Sequence, residues 1–150
     1  MTAAPITCSW SDTAEVPARI MWEHDCGIVP VLDATGQLAG AVTDRDLCMA
    51  AYLQGTPLAR IPVATCMTHG LSACRPQDDV AKAERLMSER QVHRLPVVDE
   101  SGSLVGIISL GDIARQFSRQ LQHQGSSYLA EELVHTMAAI SQPREESVRT

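Results

Sequence analysis

The chain has 150 residues, 45% of them hydrophobic but only 3% aromatic, and a formal net charge of −6 at pH 7. That length suits one compact unit whose core is filled by Ala, Val, Leu, Ile and Met. The acidic balance argues against nucleic acid or an anionic membrane as partner. With no 18-residue apolar run and no signal-peptide pattern, a cytoplasmic location is expected.

In chain order, residues 1–5 read as a short leader and Ile6–Ser9 as a brief strand. Asp12-Thr13-Ala14-Glu15 has the composition of a capping box, followed by a helix with Ala14, Pro17, Ala18 and Met21 on one face. Pro17 is expected past the first turn, where it would bend or shorten that helix. Gly27–Leu32 and Leu38–Thr43 are strands joined through Asp33-Ala34-Thr35-Gly36. Thr43-Asp44-Arg45-Asp46 then caps a helix that carries Leu47, Ala50, Ala51 and Leu53 and stops near Gly55. Residues 57–65 form a connector in which Pro57 and Pro62 limit any helix to about one turn.

The plan then repeats: strand Leu71–Cys74, helix Asp78–Glu89, strand Arg94–Val98, strand Leu104–Ser109 and helix Gly111–Leu121. A gapless 66-residue shift superposes Cys8/Cys74, Asp12/Asp78, Arg19/Arg85, Met21/Met87, Glu23/Glu89, Pro30/Pro96, Val31/Val97, Asp33/Asp99, Gly36/Gly102, Leu38/Leu104, Gly40/Gly106 and Asp46/Asp112. The chain is an internal duplication, divided as repeat 1 over 1–56, the connector over 57–65 and repeat 2 over 66–122. Gly125 interrupts the pattern. An added amphipathic helix over 126–141, with Leu129, Leu133, Met137 and Ile140 on one face, precedes a polar tail over 142–150 expected to be disordered. Helices alternating with hairpin strands imply an α/β layered fold.

The stretches GIVPVLDATGQLAGAVTDRDL and HRLPVVDESGSLVGIISLGDI resemble the CBS domain, the β-α-β-β-α unit named for cystathionine β-synthase. The resemblance covers roughly residues 6–121 and implies two such repeats related by a pseudo-twofold axis, with a cleft on each side. It also implies an adenosyl ligand in a cleft: AMP, ADP or ATP first, S-adenosylmethionine or NAD less so. In that reading Asp112 and Asp46 accept from ribose hydroxyls, while Ser109 and Thr43 meet phosphate; as local chemistry the same residues are simply helix caps. The primary cleft would combine Ser109 and Asp112 with His93 and Arg94, and with Thr7, Cys26, Gly27 and Ile28 from repeat 1. His93-Arg94 resemble a phosphate-contacting stretch of the nucleotide-sensing subunit of AMP-activated kinase. The secondary cleft would use Thr43, Arg45 and Asp46. Only Met1–Pro5 precede the first strand, so repeat 1 is expected to lack the Val-Met-Thr-like lead-in kept in repeat 2 as Cys66-Met67-Thr68.

No nucleophile–base pair, Walker loop or paired catalytic carboxylate stands out, so no enzyme is expected. His24, His69, His123 and His135 lack metal-ligand spacing. Cys8, Cys26, Cys48, Cys66 and Cys74 contain no Cys-x-x-Cys and read as reduced hydrophobes. The function expected is a regulatory ligand-sensing module, a homodimer acting on an unidentified protein partner. The alternative is a ligand-independent dimerisation or scaffold protein, and behind it a thiol or metal sensor.

Overall fold

The computed structural model describes residues 1–116 and 128–140. In order these form β1 (Thr2–Ala3), β2 (Cys8–Ser9), α1 (Glu15–Glu23), β3 (Ile28–Leu32), β4 (Leu38–Thr43) and α2 (Asp44–Gln54). After a 3-10 turn (Leu58–Arg60) come α3 (Val63–Cys66), β5 (Thr68–His69), α4 (Val80–Arg90), β6 (Arg94–Val98) and β7 (Leu104–Ser109). Helix α5 begins at Leu110 and is described through residue 116, and α6 is Tyr128–Ile140. The expected helix end at Leu121, the break at Gly125, the α6 start at Ser126 and the tail over 142–150 lie outside the described residues.

The duplication is visible in the register. Pro30 pairs with Ala41 and Pro96 with Ile107, and each hairpin carries a bulge after the Val that follows its proline. Each turn is closed by an aspartate. Asp33 accepts from the backbone of Thr35 and Gln37, and Asp99 from Ser101 and Ser103. Gly36 and Gly102 supply the left-handed residue each turn needs, with φ of 81° and 84°. The two turns meet where Gln37 Nε2 donates to the Ser101 carbonyl, 3.2 Å away.

The sheets run β2-β3-β4-β5 and β1-β7-β6, so each contains a strand that comes from outside its own repeat. This overturns the expectation that residues 1–5 are only a leader and that repeat 1 lacks a lead-in. Thr2 and Ala3 pair with Ile107 and Gly106, just as Thr68 and His69 pair with Ala41 and Gly40. Met1/Met67 and Thr2/Thr68 therefore extend the 66-residue repeat to the first residue. Ala4 takes φ 47° where Gly70 takes 63°. A two-residue strand has no periodicity to betray it.

Other local expectations shift. Strand β2 is only two residues long, and Leu71–Cys74 reduces to a single parallel bridge between Cys74 and Val97. The capping box at Asp12 does not form: Ala14 is the cap residue, without a side-chain bond, and Asp12 Oδ2 accepts from the Ser9 amide. Asp78 does the same for Arg75, leaving Asp79 to cap α4. Because α1 starts at Glu15, Pro17 falls in its first turn, where no helical hydrogen bond is lost. In α2, Leu47 and Ala50 are buried but Leu53 is 72% exposed. On α6 the inward positions are Leu133, Thr136 and Ile140, whereas Met137 is half exposed; the Leu129 side chain lies outside the described residues.

Two apolar clusters hold the layers together. One gathers Met21, Val29, Val31, Val42, Leu47, Ile61 and Val63. The other gathers Met87, Leu95, Val97 and Ile113, with Ile140 of α6 closing it. α6 thus lies on the repeat 2 helices, while Trp22 of α1 and Tyr52 and Leu53 of α2 face solvent.

Gly40 and Gly106 admit the exchanged strands. A Cβ on Gly40 would overlap the Thr68 carbonyl oxygen and stand 2.7 Å from Met67 Cε; one on Gly106 would meet mainly the flexible Met1 side chain, at 2.7 Å. Gly40→Ala is expected to lower stability by about 2–3 kcal/mol and Gly106→Ala by about 1 kcal/mol, an overpacking cost. Urea unfolding of the two variants checks this; equal and small losses would contradict it.

Candidate functional site

Between the sheets lies a mostly apolar hollow on the pseudo-twofold axis. Its lining includes the equivalent pairs Ile28/Arg94, Pro30/Pro96 and Ala41/Ile107. The caps of α2 and α5 flank it. At α2, Thr43 donates to Asp46 Oδ2 from its amide at 2.9 Å and its hydroxyl at 2.7 Å, and Thr43 Oγ1 accepts from the Asp46 amide at 3.2 Å. At α5, Ser109 and Asp112 reproduce this with 2.9, 2.8 and 3.1 Å. These are reciprocal capping boxes with Asp at the third helical position. Each cap residue stands opposite a lining residue on the ladder, Thr43 across from Ile28 and Ser109 across from Arg94.

The preceding backbone is fixed the same way. The Gly27 carbonyl accepts from the Asp44 amide at 3.4 Å, and the His93 carbonyl from the Leu110 amide at 2.9 Å. His93 therefore touches the α5 cap through its main chain, and its side chain is exposed. Arg94 lies opposite Ser109 on the ladder, so both side chains leave the same face. Its guanidinium reaches across to repeat 1: a Cβ on Gly27 would stand 3.9 Å from Arg94 Nη1 and 3.5 Å from Asp44 Oδ2. The structure thus brings together Gly27 and Arg94, and separately Ser109, Asp112 and the His93 backbone. Thr7 and Cys26 are half-buried, and Cys26 donates to the Met21 carbonyl. Ile28 lines the hollow. Arg45 is exposed, its amide bonded to Asp44 Oδ1 at 2.8 Å.

Two charged residues went unnoticed in the sequence reading. Asp44 adjoins Gly27 and faces the Arg94 end of the hollow. Arg115, one turn into α5, donates from Nη2 to Asp112 Oδ1 at 2.7 Å, and the Met1 ammonium stands 3.6 Å from the same oxygen. An i,i+3 acid–base pair on a helix is the signal that would have found Arg115.

Burial favours protonated Asp112, but the hydrogen bonds from Ser109 and Arg115 and the nearby Met1 charge outweigh it. The carboxyl is held down at about 2, from an ordinary 3.8. The thiols move the other way. Burial, helped by Asp12 and Cys66, pushes Cys8 up to about 12, and burial plus a neighbouring aspartate also raises Cys66 and Cys74. These thiols stay protonated near neutrality and are weak nucleophiles. Among the described residues no group of three or more His, Cys, Asp or Glu is placed to hold a metal ion, and no helix is long and apolar enough to cross a membrane.

Duplicated β-α-β-β-α units, exchanged lead-in strands and a Ser/Thr-x-x-Asp cap after the second hairpin strand of each repeat define a class of paired two-repeat modules. The CBS domain family matches residues 1–52 and 63–119, and the chain belongs to that family. It is 33% identical over 136 residues to the CBS domain-containing protein YhcV of Bacillus subtilis (strain 168), covering 90% of this chain and 95% of YhcV. A solved structure of CBSX2 in complex with AMP is similar at 27% identity with a TM-score of 0.69, covering 82% of this chain and 95% of that one. The CBS domain pair of protein MJ0100, in complex with 5′-methylthioadenosine and S-adenosyl-L-methionine, is similar at 27% identity with a TM-score of 0.68, covering 77% and 93%.

A lowered folded-state pKa contributes stability above the unfolded value, and the contribution is lost as pH falls toward the folded value. Asp112 should therefore stabilise the fold above about pH 4 and cease to do so by about pH 2. Asp33, Asp78 and Asp99 are also lowered by their hydrogen bonds and act in the same window, so the comparison is between variants. Asp112→Asn should show a shallower loss of urea stability between pH 4 and pH 2 than the parent chain. Parallel profiles would refute the assignment.

Proposed function

We propose that this chain is a regulatory module that binds an adenine nucleotide or another adenosyl ligand at the clefts between its repeats, and carries out no catalytic step. The supporting observation is the pair of reciprocal caps, each holding a carboxylate close to an apolar hollow. A carboxylate is acceptor-only with two oxygens, which suits the cis-diol of a ribose, and apolar lining suits an adenine ring. The AMP in CBSX2 and the methylthioadenosine and S-adenosyl-L-methionine in MJ0100 support the same ligand class.

In this reading the Asp112 cleft is primary. Asp112 takes the ribose hydroxyls, Ser109 meets phosphate, His93 and Arg94 supply polar and cationic donors, and Thr7, Cys26, Gly27 and Ile28 form the opposing wall. Thr43, Arg45 and Asp46 form the second cleft. Ligand would shift the module between shapes to the extent that its affinities for them differ, and a protein partner would read the difference. A melting panel of AMP, ADP, ATP, NAD and S-adenosylmethionine tests the class. A ligand at 100 times its dissociation constant should add about 2.7 kcal/mol, and no shift with any of the five would refute it. By titration calorimetry, Asp112→Ala and Arg94→Ala should each weaken the tightest site by about 10- to 100-fold, the cost of a lost hydrogen bond to a charged group. Asp46→Ala should leave that site nearly unchanged; the reverse pattern would overturn the ranking.

The module is also proposed to act as a homodimer. With α6 covering repeat 2, the uncovered helical face is that of α1 and α2, where Trp22 is 89% and Tyr52 78% exposed. Exposed aromatic side chains on an uncovered helical face favour burial against a partner surface. Light scattering should give twice the chain mass at micromolar concentration, falling to the single-chain mass in a Trp22→Glu/Tyr52→Glu variant. A parent chain that scatters as a single chain would exclude the dimer.

A further inference from the structure

The two caps differ in their second carboxylate oxygen. Asp46 and Asp112 each use Oδ2 for the cap. Asp112 Oδ1 accepts from Arg115 Nη2 at 2.7 Å, whereas Asp46 Oδ1 has no partner among the described residues. The 66-residue register places Met49 where repeat 2 has Arg115, and Arg45 where it has Gly111. The Arg115 guanidinium folds back over the start of α5. A Cβ on Gly111 would stand 3.5 Å from Arg115 Nη1 and 3.7 Å from Ser109 Oγ. Gly111 thus leaves room for a cation that reaches the ribose acceptor and the Ser109 corner at once. Arg94 is turned toward Gly27 and Asp44, so Arg115 is the guanidinium that attends Asp112.

We propose that Arg115 sets the preference of the Asp112 cleft for phosphorylated over phosphate-free adenosyl ligands, an inference that rests on the adenosyl reading of that cleft. In the empty cleft it occupies the carboxylate oxygen that a ribose diol needs. Asp112 Oδ2 already accepts twice from Ser109, so the diol's donors must go to Oδ1 and displace Arg115. Its side chain is 67% exposed, so release costs little. A freed guanidinium beside Ser109 then makes a charge-assisted, forked contact with a phosphate. A phosphate-free ligand displaces the same cation and gives it no anion in return.

The test is Arg115→Met, which installs the residue that repeat 1 carries at the equivalent place. Binding of AMP and of adenosine is measured by calorimetry, with and without the substitution, in an Asp46→Ala background so that one cleft is read. AMP should weaken by about tenfold or more and adenosine should tighten by about threefold, so their affinity ratio falls by about thirtyfold or more. Arg115→Lys, which keeps the charge, should retain most of the ratio. A ratio unchanged in Arg115→Met overturns the assignment while leaving the cleft reading intact. Failure of AMP and adenosine to bind either protein overturns both.

Discussion

Everything in this molecule depends on the exchange of two short strands between repeats. β1 completes the sheet of repeat 2 and β5 completes the sheet of repeat 1, so neither sheet is made from one repeat alone. The constraint that permits it is the absence of a side chain at Gly40 and Gly106, where the incoming backbone passes within van der Waals range. Each exchanged strand ties its repeat to the other, setting the apolar faces of β3–β4 and β6–β7 against the central hollow. The pseudo-twofold axis, the clefts and the positions of the caps all follow from that tie.

Within this symmetric frame the charges are not symmetric. Repeat 1 offers Asp44, Arg45 and Asp46 at its cap, and repeat 2 offers Leu110, Gly111 and Asp112 with Arg115 behind them. Arg94 crosses the axis toward Gly27 and Asp44, and Ile28 holds the equivalent place. Duplication supplied two geometrically equal sites, and a few side chains at matched positions made them electrostatically different.

Much of this was legible in the sequence, because the chemistry involved is local. The hairpins announce themselves through Asp33 and Gly36, and through Asp99 and Gly102. The caps show in Thr43-x-x-Asp46 and Ser109-x-x-Asp112, and the α2 stop in Gly55. The strands Leu38–Thr43 and Leu104–Ser109 appear with the expected bounds. What was not legible depends on distant backbone. Asp12 looks like a helix cap until the Ser9 amide turns back to meet it, which moves the start of α1 and makes Pro17 harmless. Thr2–Ala3 is too short to carry a pattern, and its partner lies in the other repeat.

The crossing of β1 also orders events in time. The sheet of repeat 1 uses only residues up to His69, whereas that of repeat 2 needs Thr2 to meet Ile107. A ribosome adding roughly 5–20 residues per second takes several seconds to travel between them. One sheet is therefore complete while the chain is still being made, and the other must wait. Thr2 and Ala3 are thus among the last residues to find their place, although they precede every other strand in the chain.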